Sequence, residues 1–394
     1  MKVTEDIKYI GVNDHQVDLF EGQFEVPLGM AYNSYVVKDA KIAVMDTVDQ
    51  HFGDEWLKNL KAEIGDAAVD YLVVQHMEPD HSANIAAFAA AYPTAKIVAS
   101  LPAFAMMKNY FGTDYAERRV VIKEGDTLDL GTHKLAFVAA PMVHWPEVMV
   151  TYDATDKVLF SADGFGKFGA NDVEDPEGWD CEARRYYFGI VGKFGGKFGG
   201  NVQALLKKAA GLDIRTICPL HGPVLATPEE IAHALQQYTT WSAYDVESAG
   251  VCVAYTSVYG HTKAAVMKLK EMLLARGCPK VAVADLARDD VPETVEDAFR
   301  YGKLVLATTT YNADIFPWMR HFIDHLTERN YQRRTVGLVE NGSWAPVAAR
   351  VMRGMFEAAK SKDISFCENV VTIRSALDAA SEAKLAALAD ELMR

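Results

Sequence analysis

Tyr71-Leu72-Val73-Val74-Gln75-His76-Met77-Glu78-Pro79-Asp80-His81-Ser82 joins an apolar run to a dense set of metal-capable side chains. The run Tyr71–Val74 reads as a β-strand. His76, Glu78, Asp80 and His81 therefore leave its C-terminal end. In an extended or turn conformation, His76, Glu78 and Asp80 project toward one centre and His81 approaches from the side. The position matters as much as the composition, because α/β proteins place their chemistry where strands end.

Three more residues share that context. His144 follows the apolar run 134–141, Asp163 ends the run 157–163, and His221 ends the run 216–221 just before Gly222-Pro223. Taken singly, a histidine or carboxylate at a strand end is ordinarily a cap or a satisfied polar group. Seven of them at four strand ends predict one shared site. Three or four imidazoles with three carboxylates suffice for two ions, and Asp163 is the residue placed to bridge them. No thiolate sits at these positions, which argues against sulfur-ligated zinc. Nitrogen and hard oxygen ligands suit iron or manganese, and also zinc. His15, His51, His133, His233, His321 and His325 show no such clustering and read as surface or core residues.

Outward from this motif the fold class is α/β. Strand candidates lie at 34–39, 41–48, 71–76, 96–100, 119–125, 134–141, 147–153, 157–163 and 216–221. A hairpin turning at Asp39-Ala40 makes the first sheet mixed rather than purely parallel. Beyond residue 250 the pattern changes. Strands at 251–256, 281–286, 303–310, 335–341 and 365–373 alternate with helices, one ending at Ala275 and the last running to Met393. Strand then helix, repeated, predicts a doubly wound parallel sheet of order 2-1-3-4-5. The polar stretch 238–250 separates the two patterns, giving domains 1–249 and 250–394. A local tandem KFGGKFGG stands at 193–200.

The second half carries its own constellation. Thr256-Ser257-Val258-Tyr259-Gly260-His261-Thr262-Lys263 links its first strand to its first helix. Hydroxyls at Thr256, Ser257, Tyr259 and Thr262, with the backbone N–H groups of a helix N-terminus, form an anion cradle, and Gly260 lets the backbone approach closely. The loop is neither G-x-G-x-x-G nor a Walker A motif, and it has room for one terminal phosphate. Two later strand ends, Thr308-Thr309-Thr310-Tyr311-Asn312-Ala313 and Glu340-Asn341-Gly342-Ser343-Trp344, complete a flavin site. Tyr311 and Trp344 supply flat rings for an isoalloxazine. Asn312, Ala313 and Gly342 offer backbone groups to its polar edge, and Thr310, Asn341 and Ser343 complete the wall. Any one such loop is only a turn. Three in order at the switch point of a five-strand sheet predict FMN.

At these residues the sequence resembles the flavodiiron proteins, or A-type flavoproteins, over essentially its whole length. The family joins a metallo-β-lactamase-like αββα sandwich to a flavodoxin-like sheet. Its pattern H-x-E-x-D-(H), a distant His, a bridging Asp and a last His is matched in order by His76, Glu78, Asp80, His81, His144, Asp163 and His221. The resemblance implies that His76, Glu78 and His144 hold one iron, that Asp80 and His221 hold the second, and that Asp163 bridges. His81 is the open position, since the family either uses it as a ligand or replaces it with water. Hydrolytic relatives carry histidine in place of Glu78 and typically bind zinc, so Glu78 shifts the expectation to iron. No catalytic residue beyond the metal ligands is implied.

The family reduces dioxygen to water, nitric oxide to nitrous oxide, or both, with electrons relayed through FMN, commonly from rubredoxin. Its members are head-to-tail homodimers or dimers of such dimers. The chain ends after the flavodoxin-like part, without the C-terminal extensions some relatives carry, so the expected electron donor is a separate protein or cofactor. Two other classes compete with this reading: a zinc metallo-hydrolase fused to a flavodoxin, and a non-enzymatic electron carrier or gas sensor. Glu78 counts against the first and the complete ligand set against the second. Between the gases, dioxygen is slightly favoured.

Bulk properties agree with these readings. A length of 394 residues predicts two domains. A net charge of −14 disfavours nucleic acid. The opening residues lack the apolar core of a secretory signal, and no apolar stretch has the length of a membrane span. Five scattered cysteines without a C-x-x-C pair fit a reducing cytoplasm and argue against a disulfide framework or an iron–sulfur cluster.

Overall fold

The hairpin expected at Asp39-Ala40 forms, with Tyr35 opposite Met45 and Val37 opposite Ala43 in antiparallel register. It seeds a six-stranded mixed sheet whose order is Ile7–Tyr9, Tyr35–Val37, Ala43–Met45, Tyr71–Val73, Lys96–Ser100 and Arg119–Ile122. The last four strands run parallel. The helices Gly53–Ile64 and Ile85–Ala91 lie on the crossovers that such pairs require. A second sheet follows in the order Thr127–Asp129, Lys134–Ala139, Met149–Asp153, Val158–Phe160 and Thr216–Cys218.

These coordinates are a computed structural model describing residues 3–192, 200–361 and 363–394. The tandem at 193–200 lies outside the described residues except for Gly200. Two compact units emerge, Met1–Thr239 and Thr240–Arg394.

In the first unit, Tyr35, Val37, Ala43, Met45, Val73 and Val98 meet Leu135, Phe137, Met149, Val158 and Phe160 in one core between the two sheets. The intervening residues Val36, Val44 and Leu72 are also fully buried. Strand side chains alternate in direction, so the first sheet is covered on both faces. The result is the αββα sandwich expected. Sequence reasoning missed Ile7–Tyr9 and Thr127–Asp129, three-residue strands too short for a periodic signal.

In the second unit the sheet order is Val281–Asp285, Ser248–Tyr255, Tyr301–Tyr311, Arg334–Asn341 and then Ile364–Phe366, which is 2-1-3-4-5 with parallel neighbours. The expected strand 365–373 is divided. Ile364–Phe366 pairs with the start of Arg334–Asn341, and Val371–Ile373 pairs with its end. Between them the backbone N–H groups of Glu368 and Asn369 leave the ladder and donate to the Glu391 carboxylate at 2.7 and 3.1 Å. An acceptor on the last helix thus takes up the two donors that the interrupted ladder releases.

The units divide at Thr239/Thr240, ten residues ahead of the 249/250 boundary read from the sequence. Residues just before 250 belong with the second unit because the buried Arg334 guanidinium donates to the carbonyls of Tyr244 and Asp245 at 2.7 and 3.1 Å. Among the described residues no helix is long and apolar enough to cross a membrane.

Candidate metal centre

The strand Tyr71–Val73 ends where Asp46 takes over. Asp46 follows its own strand in a left-handed conformation, φ 54°. Its carboxylate accepts from the backbone N–H groups of Gln75 at 2.7 Å and His76 at 3.3 Å, and from Gln75 Nε2 at 2.8 Å. This anchor fixes the loop carrying His76. Pro79 then opens one helical turn, Pro79–Ser82, with Glu78 as its N-cap. The turn is helical rather than extended, and it swings Asp80 and His81 away from Glu78. Thr47 holds the turn from outside, donating from N and Oγ1 to the His81 carbonyl at 2.9 and 2.7 Å.

The seven sequence-identified residues fall into two groups with converging ligand atoms, His76/Glu78/His144/Asp163 and Asp80/His81/His221. In the first, Glu78 Oε2 lies 3.2 Å from His76 Nε2 and 2.9 Å from His144 Nε2. In the second, Asp80 Oδ2 lies 3.3 Å from His81 Nε2 and 3.2 Å from His221 Nε2. Asp163 stands between them. Its Oδ2 faces His76 and His144 at 3.2 and 3.0 Å, and its Oδ1 faces His81 and His221 at 3.4 and 3.7 Å.

The donor chemistry fits two cations. Asp163 and Asp80 are buried, yet all four of their carboxylate oxygens lack a hydrogen-bond partner. Buried charges left so are costly unless cations balance them. His81 Nε2 and His221 Nε2 approach to 3.0 Å, close enough for both to face one ion. Burial alone draws His76 toward its neutral form, but Asp163, Glu147 and Glu78 hold its pKa well above the ordinary histidine value. Burial likewise pushes the Glu78 and Asp163 carboxyls up, and the surrounding imidazoles outweigh it and hold both far below the usual carboxylate range. Protons and a divalent ion compete for this cluster.

Outer partners set the rings. His221 Nδ1 donates to the Ala31 carbonyl at 2.7 Å, which leaves Nε2 as the lone-pair nitrogen. His76 Nδ1 lies 2.9 Å from Glu147 Oε1. Phe20, Tyr32 and Tyr186 meet His221 edge-on, with centroids 5.5, 5.9 and 5.4 Å away. Neither Glu147, Asp46 nor Tyr186 was identified from the sequence. Glu147 follows His144 by three residues, a spacing that was the only available signal.

The second unit holds a cavity of about 440 Å³ at the C-terminal edge of its sheet. Of the expected flavin residues, Ser257, Val258, Tyr259, His261, Thr262, Thr310, Tyr311, Asn341, Gly342, Ser343 and Trp344 line it, joined by Thr309, which stands in the second loop without an assigned role, and by Ser375, which lies outside all three loops. Thr256, Gly260, Asn312 and Ala313 are not among its lining residues. Thr256 is buried, with its hydroxyl 2.6 Å from that of Thr308, so it ties two loops together. Gly260 caps the helix His261–Ala275 at φ 91°. Asn312 and Ala313 form the two-residue turn between Tyr311 and Asp314, both at positive φ. Thr309 Oγ1 is buried without a partner, so the wall retains an unmet polar group. Tyr259 and Trp344 are 90% and 82% exposed, leaving two aromatic faces free at the rim.

Comparison with known proteins follows the same two-part layout. A family model described as "ODP family beta lactamase" matches residues 30–222, the span that carries all seven metal-capable residues. A nitric oxide reductase of Moorella thermoacetica is 29% identical over 370 residues, covering 91% of this chain and 90% of the relative. The structure of rubredoxin oxygen:oxidoreductase from Desulfovibrio gigas superposes with a TM-score of 0.91 at 24% identity, covering 100% of this chain and 98% of that one. The flavodiiron protein of Giardia intestinalis gives 0.91 at 22% identity, covering 99% and 95%. With its ligand-type residues in family order on a fold shared end to end with these structures, the chain is similar throughout its length to the flavodiiron proteins.

Proposed function

We propose that this protein is a flavodiiron oxidoreductase that reduces dioxygen to water, nitric oxide to nitrous oxide, or both. The observation that carries the reading is the division of Asp163, one oxygen toward each group of ligand atoms. A carboxylate so placed would serve two ions at once, one through each oxygen. His76, Glu78 and His144 would hold one iron, and Asp80, His81 and His221 the other, with Asp163 shared. Two ferrous ions and a reduced FMN together supply four electrons, the number that converts dioxygen to water without releasing peroxide, and nitric oxide coupling uses two. Glu78, a hard anionic oxygen between two imidazoles, favours iron at the first position.

The chain's own residues do the rest by position. Phe20, Tyr32 and Tyr186 wall the His221 side and restrict water there. Thr309 offers its free hydroxyl to the FMN. Ser257 Oγ, which accepts from Gly260 N at 3.1 Å and Lys263 N at 3.2 Å, holds the phosphate loop in shape while its own proton remains available to donate. Tyr311 and Trp344, both on the cavity wall, present their rings to the flavin. The related oxygen:oxidoreductase is named for rubredoxin, and a separate rubredoxin-like donor serves here as well. The working unit is a head-to-tail homodimer or a dimer of such dimers, and five free cysteines suit a reducing cytoplasm.

The decisive experiment is steady-state turnover of both gases by one preparation whose metal and flavin are counted. Two irons and one FMN per chain with turnover of either gas support the proposal. Stoichiometric zinc with no gas consumption overturns it.

A further inference from the structure

The four imidazoles of the centre are not held alike. His221 Nδ1 donates to a neutral carbonyl. His81 Nδ1 and His144 Nδ1 are buried and have no partner. Among the described residues only His76 is backed by a carboxylate, Glu147 Oε1 at 2.9 Å, with both side chains fully buried. The same oxygen accepts from Met77 N at 2.8 Å, and the Glu147 carbonyl accepts from Ser100 Oγ at 2.9 Å, so the residue is clamped to the loop on one side and to the strand end on the other. Its second oxygen, Oε2, is buried with no partner at all.

Oε1 meets two donors, while the buried Oε2 meets none, so the charge of this buried carboxylate is met on one side alone, through His76. Such a charge is costly unless a cation lies near it. The nearest place for one is beyond His76 Nε2, among Glu78, His144 and Asp163. A carboxylate behind an imidazole fixes the tautomer and makes the ligating nitrogen more basic.

We propose that Glu147 is a positioning residue that makes the two halves of the metal centre unequal, strengthening the His76/Glu78/His144 position over the Asp80/His81/His221 position through His76. The His76 half then gathers the charge of Glu78, Glu147 and a share of Asp163, and the other half that of Asp80 and the remaining share. In the iron-loaded protein the His76 position is the one that favours the ferric state. The last statement rests on the diiron reading; the asymmetry itself does not.

Cobalt(II) titration of the chelator-treated full chain, followed by its visible absorption, reads the two positions separately. The wild type is expected to take up two equivalents. Glu147→Gln, which keeps volume and can still accept from His76 and Met77, is expected to weaken one equivalent by about 10–100-fold and leave the other within about 3-fold. Glu147→Asp, which keeps the charge, is expected to recover most of the loss. Unchanged binding in E147Q, equal weakening of both equivalents, or equal loss in E147Q and E147D would each overturn the proposal. If the one-sided loss appears but the iron-loaded wild type consumes neither gas, the reductase reading fails and the role of Glu147 stands.

Discussion

Asp163 meets His144 at 3.0 Å through Oδ2 while its other oxygen is turned wholly to the opposite group of ligands. One side chain therefore belongs to both ion positions, and its removal strikes both. Asp163→Ala is expected to release the metal pair and lower gas turnover by at least about 100-fold, more than the loss of an outer partner gives. The flavin spectrum remains, because every residue lining its cavity lies in the other unit. Elemental analysis with visible spectroscopy checks this. Two irons per chain and normal turnover in the variant would refute the bridging role.

Thr309 offers a test of the flavin cavity that separates binding from folding. Its hydroxyl has no protein partner, so nothing in the flavin-free chain depends on it. Thr309→Val is expected to weaken FMN by about 5-fold, the worth of one net hydrogen bond. The melting temperature of the flavin-free protein should hold or rise. Fluorescence titration and thermal melts measure the two quantities. A lowered melting temperature without a change in FMN affinity would assign the hydroxyl to the fold instead.

Where the second unit begins is testable through Arg334. Its buried guanidinium takes acceptors from Tyr244 and Asp245, and also donates to the Phe299 carbonyl. A fragment starting at Thr240 keeps all of them, whereas one starting at Gly250 strips two from a buried cation. The shorter fragment is expected to be less stable by about 3 kcal/mol or more. Urea unfolding of the two fragments gives the difference, and equal midpoints would place the boundary at Gly250 after all.

His133 predicts a pH dependence away from the metal centre. It is buried, with Nδ1 3.0 Å from Asp153 Oδ2 and Nε2 3.5 Å from Asp6 Oδ2, while its backbone N donates to Asp39. Burial alone would lower its pKa, but Asp153 and Asp6, with the nearby Asp156, raise it above the ordinary value. A group whose folded pKa is raised stabilises fully below its unfolded pKa of about 6.5 and loses that contribution as pH climbs through the folded value. His133→Gln should therefore cost about 1.5–3 kcal/mol near pH 6 and progressively less toward alkaline pH. Melting curves of wild type and variant over that range supply the comparison. A constant gap between them would show that the imidazole is never charged.

Much of this architecture can be read from residue order. Tyr71–Val73 and the later parallel strands announce themselves by uninterrupted apolar runs, and seven ligand-type residues are visible because each ends such a run. Glu147 and Asp46 escape the same reading for a physical reason. Each works through hydrogen bonds to residues distant in sequence, and Glu147 is 71 positions away from the ring it holds. Thr256 and Asn312 show the opposite failure. Both have suitable polar chemistry in the right loops, yet one spends its hydroxyl on Thr308 and the other forms a tight turn. Polarity marks a loop as a candidate, and only the backbone path decides which atoms face the ligand.

The bond from His221 to the Ala31 carbonyl spans 190 positions and closes the centre at 2.7 Å. On the ribosome, the segment bearing His76 through His81 emerges long before that partner for Ala31 has been synthesised. A nascent chain can display four of the seven ligand-type residues while the second group has no closing wall. The second group of ligand atoms is thus complete only once residue 221 has been made and the two sheets have met, whereas the segment from His76 to His81 is in place from the first half of the chain.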